Sequence, residues 1–231
     1  MNYKEFKSYL SKDKREADPF VSKKFYRPVS LLLGWQLYRL GMTANSISIL
    51  SILIAFFSCS FFISGDQSLS LFGSIFILIV GITDCIDGNI ARASKQLSSR
   101  GAWLDALSSY LIAAFLPISL GIYAFQNYNY FYFSGDWLIL GSLMSINNIL
   151  IRLVFQKFSN LILSNSSNKS LLINKNQSTW SLSAEIGLVG WMAPLLILCT
   201  FFDCLYFYLV FYTVFYSLAL IYIIFRLYNR L

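Results

Sequence analysis

The sequence contains no histidine, and this absence argues against a zinc site of the usual type. Its four cysteines, Cys59, Cys85, Cys199 and Cys204, form no Cys-x-x-Cys pair and sit in apolar stretches. Small core residues are expected there rather than metal or redox centres. Charge is scarce: Asp, Glu, Lys and Arg make up 13% of residues, against about a quarter in a soluble domain. The first 25 residues, MNYKEFKSYLSKDKREADPFVSKKF, lack a continuous apolar core. They do not read as a cleavable signal peptide, so the mature chain is expected to begin at or near Met1. No internal repeat of about 20–50 residues is visible.

What the chain has in quantity is apolar length. Of its 231 residues 57% are hydrophobic and 18% aromatic, and the mean hydropathy is +0.60. These values predict an all-α, polytopic membrane protein. Six segments, near 45–64, 69–90, 102–125, 132–155, 181–201 and 205–226, approach the ~20 residues a spanning helix needs. Before them, PVSLLLGWQLYRLG (28–41) is too short to span and reads as an amphipathic helix lying in the interface. The chain thus divides into a basic tail with this helix (1–41) and a six-helix transmembrane domain (42–231). The polar stretch LSNSSNKSLLINKNQST (163–179) reads as a connector between spans four and five.

Six spans place both termini on one side. All 18 Lys and Arg then fall on that side or at its boundary: nine before the first span, three in 92–100, four in 152–175 and two in 226–230. The opposite loops hold none, though they include Asp66 and Asp203. Positive residues mark the cytoplasmic side, which puts both termini in the cytoplasm of a plasma or inner membrane. The net charge of +7 then reflects topology and contact with anionic membrane lipids, and no nucleic-acid partner is expected.

The chemistry concentrates in DCIDGNIARASKQLSSRGAWLDALSSY, residues 84–110, where span two ends and span three begins. Asp84, Asp87, Gly88 and Ala91 stand at i, i+3, i+4 and i+7, one face of a helix. Gly101, Asp105 and Ser109 share a face at i, i+4 and i+8. A carboxylate in lipid costs about 2.5–3.5 kcal/mol on insertion scales, so three unpaired ones would cost about 7–10 kcal/mol. They must face a cavity and share a positive partner. An all-oxygen ligand set points to Mg²⁺ or Mn²⁺. Salt bridges to Arg92, Lys95 and Arg100 are the structural alternative.

The pattern Asp84-x2-Asp87-Gly88-x2-Ala91-Arg92-x8-Gly101-x3-Asp105 resembles the signature of the CDP-alcohol phosphotransferases, the CDP-alcohol phosphatidyltransferase family. Seven fixed residues across 22 positions agree with it. FYRPVS and GMTANSISILS are similar to the family's interfacial helix and its Thr-Pro-Asn lead-in to span one, with Ala44 in place of proline. The resemblance is weakest in spans four to six. It implies a membrane transferase in which an acceptor hydroxyl, on a lipid or a soluble molecule, attacks the alcohol-bearing phosphorus of a CDP-alcohol and CMP leaves. The product would belong to phospholipid or surface-glycan synthesis. It further implies that Asp84, Asp87 and Asp105 ligate divalent cations at the cytoplasmic face. Gly88, Ala91, Arg92 and Gly101 would lie on the nucleotide side, and the protein would be a homodimer.

Ser109 departs from that family, whose fourth motif aspartate ligates a second metal and is the expected general base. A serine hydroxyl is neither a base near pH 7 nor a charged ligand, so one cation should bind tightly and a second weakly. Glu185, at the start of span five, is the remaining intramembrane carboxylate on the correct side and the candidate replacement base; it also suits the N-terminal end of its own helix. Arg152 could hold an acceptor or lipid phosphate, or snorkel as a positive-inside residue. Two rival readings follow: a family member that binds metal or CDP-alcohol without turnover, and a small ion transporter. The transporter has no reason to keep Gly-x2-Ala-Arg.

Overall fold

A computed structural model describes residues 1–10, 18–95, 98–128, 135–164 and 187–229. Its helices run α1 (Tyr3–Ser8), a π turn (Ser22–Tyr26), α2 (Arg27–Arg39), α3 (Ala44–Ile63), α4 (Gln67–Ala93), α5 (Ser99–Asn127), α6 (Asp136–Ser164), a second π turn (Leu188–Met192), α7 (Ala193–Phe201) and α8 (Leu205–Tyr228). No strand occurs among the described residues. Helices α3, α4, α5, α6 and α8 are long and apolar enough to cross a membrane. By length and composition the chain is an integral membrane protein.

The fifth expected span, 181–201, is different. Its described part is a shorter apolar helix, Leu188–Phe201, interrupted at Gly190 (φ −108°, ψ −129°) and restarted at α7 with Pro194 in its first turn. Glycine and proline break the regular helix, which a hydropathy window does not register. Residues 181–186, and Glu185 with them, lie outside the described residues. Of the segment 28–41, residues 28–39 lie in α2, which packs against α4 with Ser30, Leu31 and Gly34 buried.

Local sequence sets the helix starts that matter for the site. Thr43 Oγ1 accepts from the Ser46 amide (3.2 Å) at the start of α3, Asp66 Oδ1 from Leu69 (2.8 Å) before α4, and Ser98 Oγ from Gly101 (3.0 Å) before α5. Each is a side-chain oxygen satisfying an otherwise orphaned helix N–H. Helix α4 is the hub, contacting α2, α3 and α7. One core runs between the helices around Phe62, Ile77, Val80, Leu116 and Leu196. A second cluster, Phe6, Leu10, Leu31, Ile47, Ile86 and Ile90, seats α1 and α2 on the C-terminal part of α4. Tyr26 is fully buried beside Gly81, where an added Cβ would stand 2.9 Å from its ring. The N-terminal segment is therefore packed onto the end of α4 that carries the aspartates.

Candidate active site

The helical spacing does bring Asp84, Asp87, Gly88 and Ala91 onto α4 near its C-terminus. Asp87 is 8% exposed and accepts a 2.6 Å hydrogen bond from the Ser48 hydroxyl of α3. A bond to an ionised acceptor is short and strong, and here it compensates a carboxylate drawn out of water. One turn further into α4, Thr83 donates to Ser51 at 3.0 Å. Ser48, Ser51, Ala55 and Ser58 recur at helical spacing and are all buried, forming a polar, small-residue stripe that lets α3 approach α4. This stripe was visible in the sequence as SISILSILIAFFS but carried no motif to single it out. Asp84 is half-buried and within electrostatic reach of Arg27.

Arg92 folds back over its own helix. Its Nη2 donates to Asn89 Oδ1 (2.8 Å), and its guanidinium occupies the space beside Gly88, where a Cβ would lie 3.3 and 3.4 Å from the two terminal nitrogens. Gly88 thus leaves room for this guanidinium. Across the turn, Gly101 of α5 faces Asn45 of α3, with Asn45 Oδ1 3.2 Å from where a Cβ would stand. Asp105 is exposed and within electrostatic reach of Asp87. Among the described residues, Arg92, Lys95 and Arg100 form no ion pair with these aspartates. Nor do three acidic side chains among them converge closely enough to enclose a metal ion. The donor chemistry is nevertheless all oxygen: carboxylates with a hydroxyl behind one of them, the type that Mg²⁺ and Mn²⁺ favour.

Ser109 and Arg152, read separately in the sequence, meet. Arg152 Nη1 donates to Ser109 Oγ, its Nε donates to Asn148 Oδ1 (3.3 Å), and its guanidinium carbon stands 5.9 Å from the centre of the Tyr110 ring. Tyr110 in turn donates to Gln156 Oε1 at 2.9 Å. The guanidinium is held by neutral oxygens and an aromatic face; no carboxylate bonds it among the described residues. Tyr110 and Gln156 were missed because single-chain periodicity shows a helix face and not what crosses from the next helix.

A model of the CDP-alcohol phosphatidyltransferase family matches residues 41–162, slightly more than half of the chain. The chain belongs to the CDP-alcohol phosphatidyltransferase family. A bifunctional IPC transferase and DIPP synthase from Aquifex aeolicus (strain VF5) is 34% identical over 113 residues, which cover 48% of this chain and 25% of that protein. The chain therefore matches about a quarter of that relative's length. The family region runs from the start of α3 into α6 and includes the aspartates, Ser109 and Arg152; Asp18, Arg27 and Glu185 lie outside it.

For this family member the Ser48–Asp87 bond is open to direct test. Ser48→Ala leaves a buried carboxylate without its hydroxyl donor and is expected to lower stability by about 1–3 kcal/mol. Ser60→Ala, at an exposed position of the same helix, should change it little. Thermal unfolding in detergent checks both; equal, small effects would mean that the bond contributes nothing.

Proposed function

We propose that the protein transfers a phospho-alcohol group from a CDP-alcohol to an acceptor hydroxyl, with its site at the cytoplasmic end of α4 and α5. The observation that carries this reading is the aspartate face of α4, with Asp87 buried against Ser48 and Asp105 of α5 within its electrostatic reach, in a chain of this family. Asp84, Asp87 and Asp105 would hold Mg²⁺ or Mn²⁺, one ion tightly and a second weakly. Such an ion offsets negative charge at the transferring phosphoryl group. The acceptor oxygen forms a bond to the alcohol-bearing phosphorus, the bond from that phosphorus to the CMP oxygen breaks, and the hydroxyl proton passes to a base. Glu185 is the proposed base. Ala91 keeps the nucleotide side free of bulk, Gly88 leaves room there for the Arg92 guanidinium, and Arg92 and Gly101 line it. Arg152, partnered by neutral groups, suits an acceptor that carries its own negative charge.

The Ser109–Arg152 contact favours a second reading, in which the protein binds donor and metal without turnover. It also changes how that reading is tested. Ser109→Asp would set a carboxylate against a guanidinium, which stabilises its charged form and weakens it as a base. Ser109→Asp combined with Arg152→Gln frees the new carboxylate.

Purified protein incubated with Mg²⁺ or Mn²⁺ and a panel of CDP-alcohols should release CMP. Glu185→Gln should reduce the rate by about 10²–10⁴-fold, the usual effect of losing a general base. A silent wild type with activity gained in the Ser109/Arg152 double variant supports the binder. An active wild type with an equally active Glu185→Gln removes Glu185 from the mechanism. Orientation is checked separately, in a cysteine-free background: a cysteine at Asn127 should react with an impermeant reagent added outside, and one at Lys95 should not. The reverse would put the site on the other face.

A further inference from the structure

Two arginines, one outside the signature, share the buried polar end of α4. Arg27 opens α2, and its side chain is 11% exposed, as is that of Asp18. The pair is bidentate: Arg27 Nε donates to Asp18 Oδ2 at 2.6 Å and Nη2 to Oδ1 at 2.9 Å. From Arg27 a string of hydrogen bonds leads to Arg92. The Arg27 carbonyl accepts from Ser30 Oγ (3.3 Å), Ser30 Oγ accepts from Asn89 Nδ2 (3.2 Å), and Asn89 Oδ1 accepts from Arg92 Nη2 (2.8 Å). Ser30 is 0% and Asn89 3% exposed, so the link from the Arg27 backbone on α2 to the Arg92 side chain on α4 is buried. They are within each other's electrostatic reach, Arg27 also feels Asp84, and Arg92 also feels Asp87.

The compensation is uneven. Arg27 has a directly bonded carboxylate. Arg92 has one neutral amide oxygen, and its Nε is a buried donor with no acceptor. Arg92 is thus the less compensated of two neighbouring like charges, and an anion bonded to it would supply what Asp18 supplies to Arg27. Planar guanidinium forks match phosphate oxygens. Asp18 sits in a bend outside the helices, so exchanging it for another anion requires no helix to move.

We propose that Arg27 is a donor-binding residue: with Arg92 it forms a two-guanidinium cradle for a phosphate of the CDP-alcohol diphosphate, and Asp18 is the counter-ion it exchanges for that phosphate. The cradle rests on the transferase reading above and adds to it a residue from the N-terminal segment, outside the aspartate signature.

The test is equilibrium binding of CDP to the full chain in detergent with Mg²⁺, alongside thermal unfolding. Asp18→Asn leaves Arg27 charged and should bind CDP at least as tightly as wild type, although less stable. Adding Arg27→Gln to Asp18→Asn removes the cation without leaving an unpaired buried carboxylate. That double variant should bind CDP about 10- to 100-fold more weakly than Asp18→Asn, as expected for a lost charge-assisted contact. Equal CDP affinity in the single and double variants overturns the proposal and leaves the pair a structural tie. So does an Asp18→Asn variant that loses CDP as severely as the double variant. A wild type that binds no CDP overturns the proposal and the transferase reading together; a wild type that binds CDP beside an unaffected double variant overturns the proposal alone.

Discussion

The cost of drawing carboxylates out of water governs this structure. An ionised side chain removed from water must find donors or opposite charge, and the end of α4 is organised around that demand. Ser48 reaches Asp87 from α3, Arg27 lies near Asp84 from α2, and Arg92 turns back along α4 to Asn89. The apolar contacts follow from it. Phe6, Leu31 and Ile47 pack on Ile86 and Ile90, which fixes the face of α4 that carries the acids and seals its opposite side.

Placing the site where several helices converge also explains why so much of its surroundings is small or polar. The α3 stripe of Ser48, Ser51, Ala55 and Ser58 permits close approach to α4, as small residues do at helix interfaces in membranes. Gly88 yields its side-chain volume to Arg92, and Gly101 admits Asn45. Bulk at any of these positions would separate groups that compensate one another. At Ser109 the same economy takes another form: an uncharged hydroxyl faces Arg152, and no carboxylate bonds that guanidinium among the described residues.

The sequence was legible where a single helix carries the information. Hydropathy located α3, α4, α5, α6 and α8, and the i, i+3, i+4, i+7 pattern identified the α4 face. It overstated the regularity of 181–201, because Gly190 and Pro194 reshape the backbone without lowering average hydropathy. Partners between helices were not legible. Nothing in the local spacing links Ser48 to Asp87, Ser30 to Asn89, or Arg152 to Ser109, since each pair is separated by 39 to 59 residues. The salt-bridge alternative, which drew on nearby Arg92, Lys95 and Arg100, has no ion pair behind it among the described residues. Asp87 is met by a hydroxyl from α3 and lies in the field of Arg92, and Asp84 lies in the field of Arg27 from the N-terminal segment.

The central claim is that the α4 carboxylates form a divalent-cation site that receives a diphosphate. Electron paramagnetic resonance of Mn²⁺ titrated into the detergent-solubilised protein tests it most directly. Wild type should convert free Mn²⁺ to a bound signal that changes again on addition of CDP, and Asp84→Asn and Asp87→Asn should each lose the bound signal. Mn²⁺ binding that is absent in wild type, or unaltered in both variants, would contradict the account.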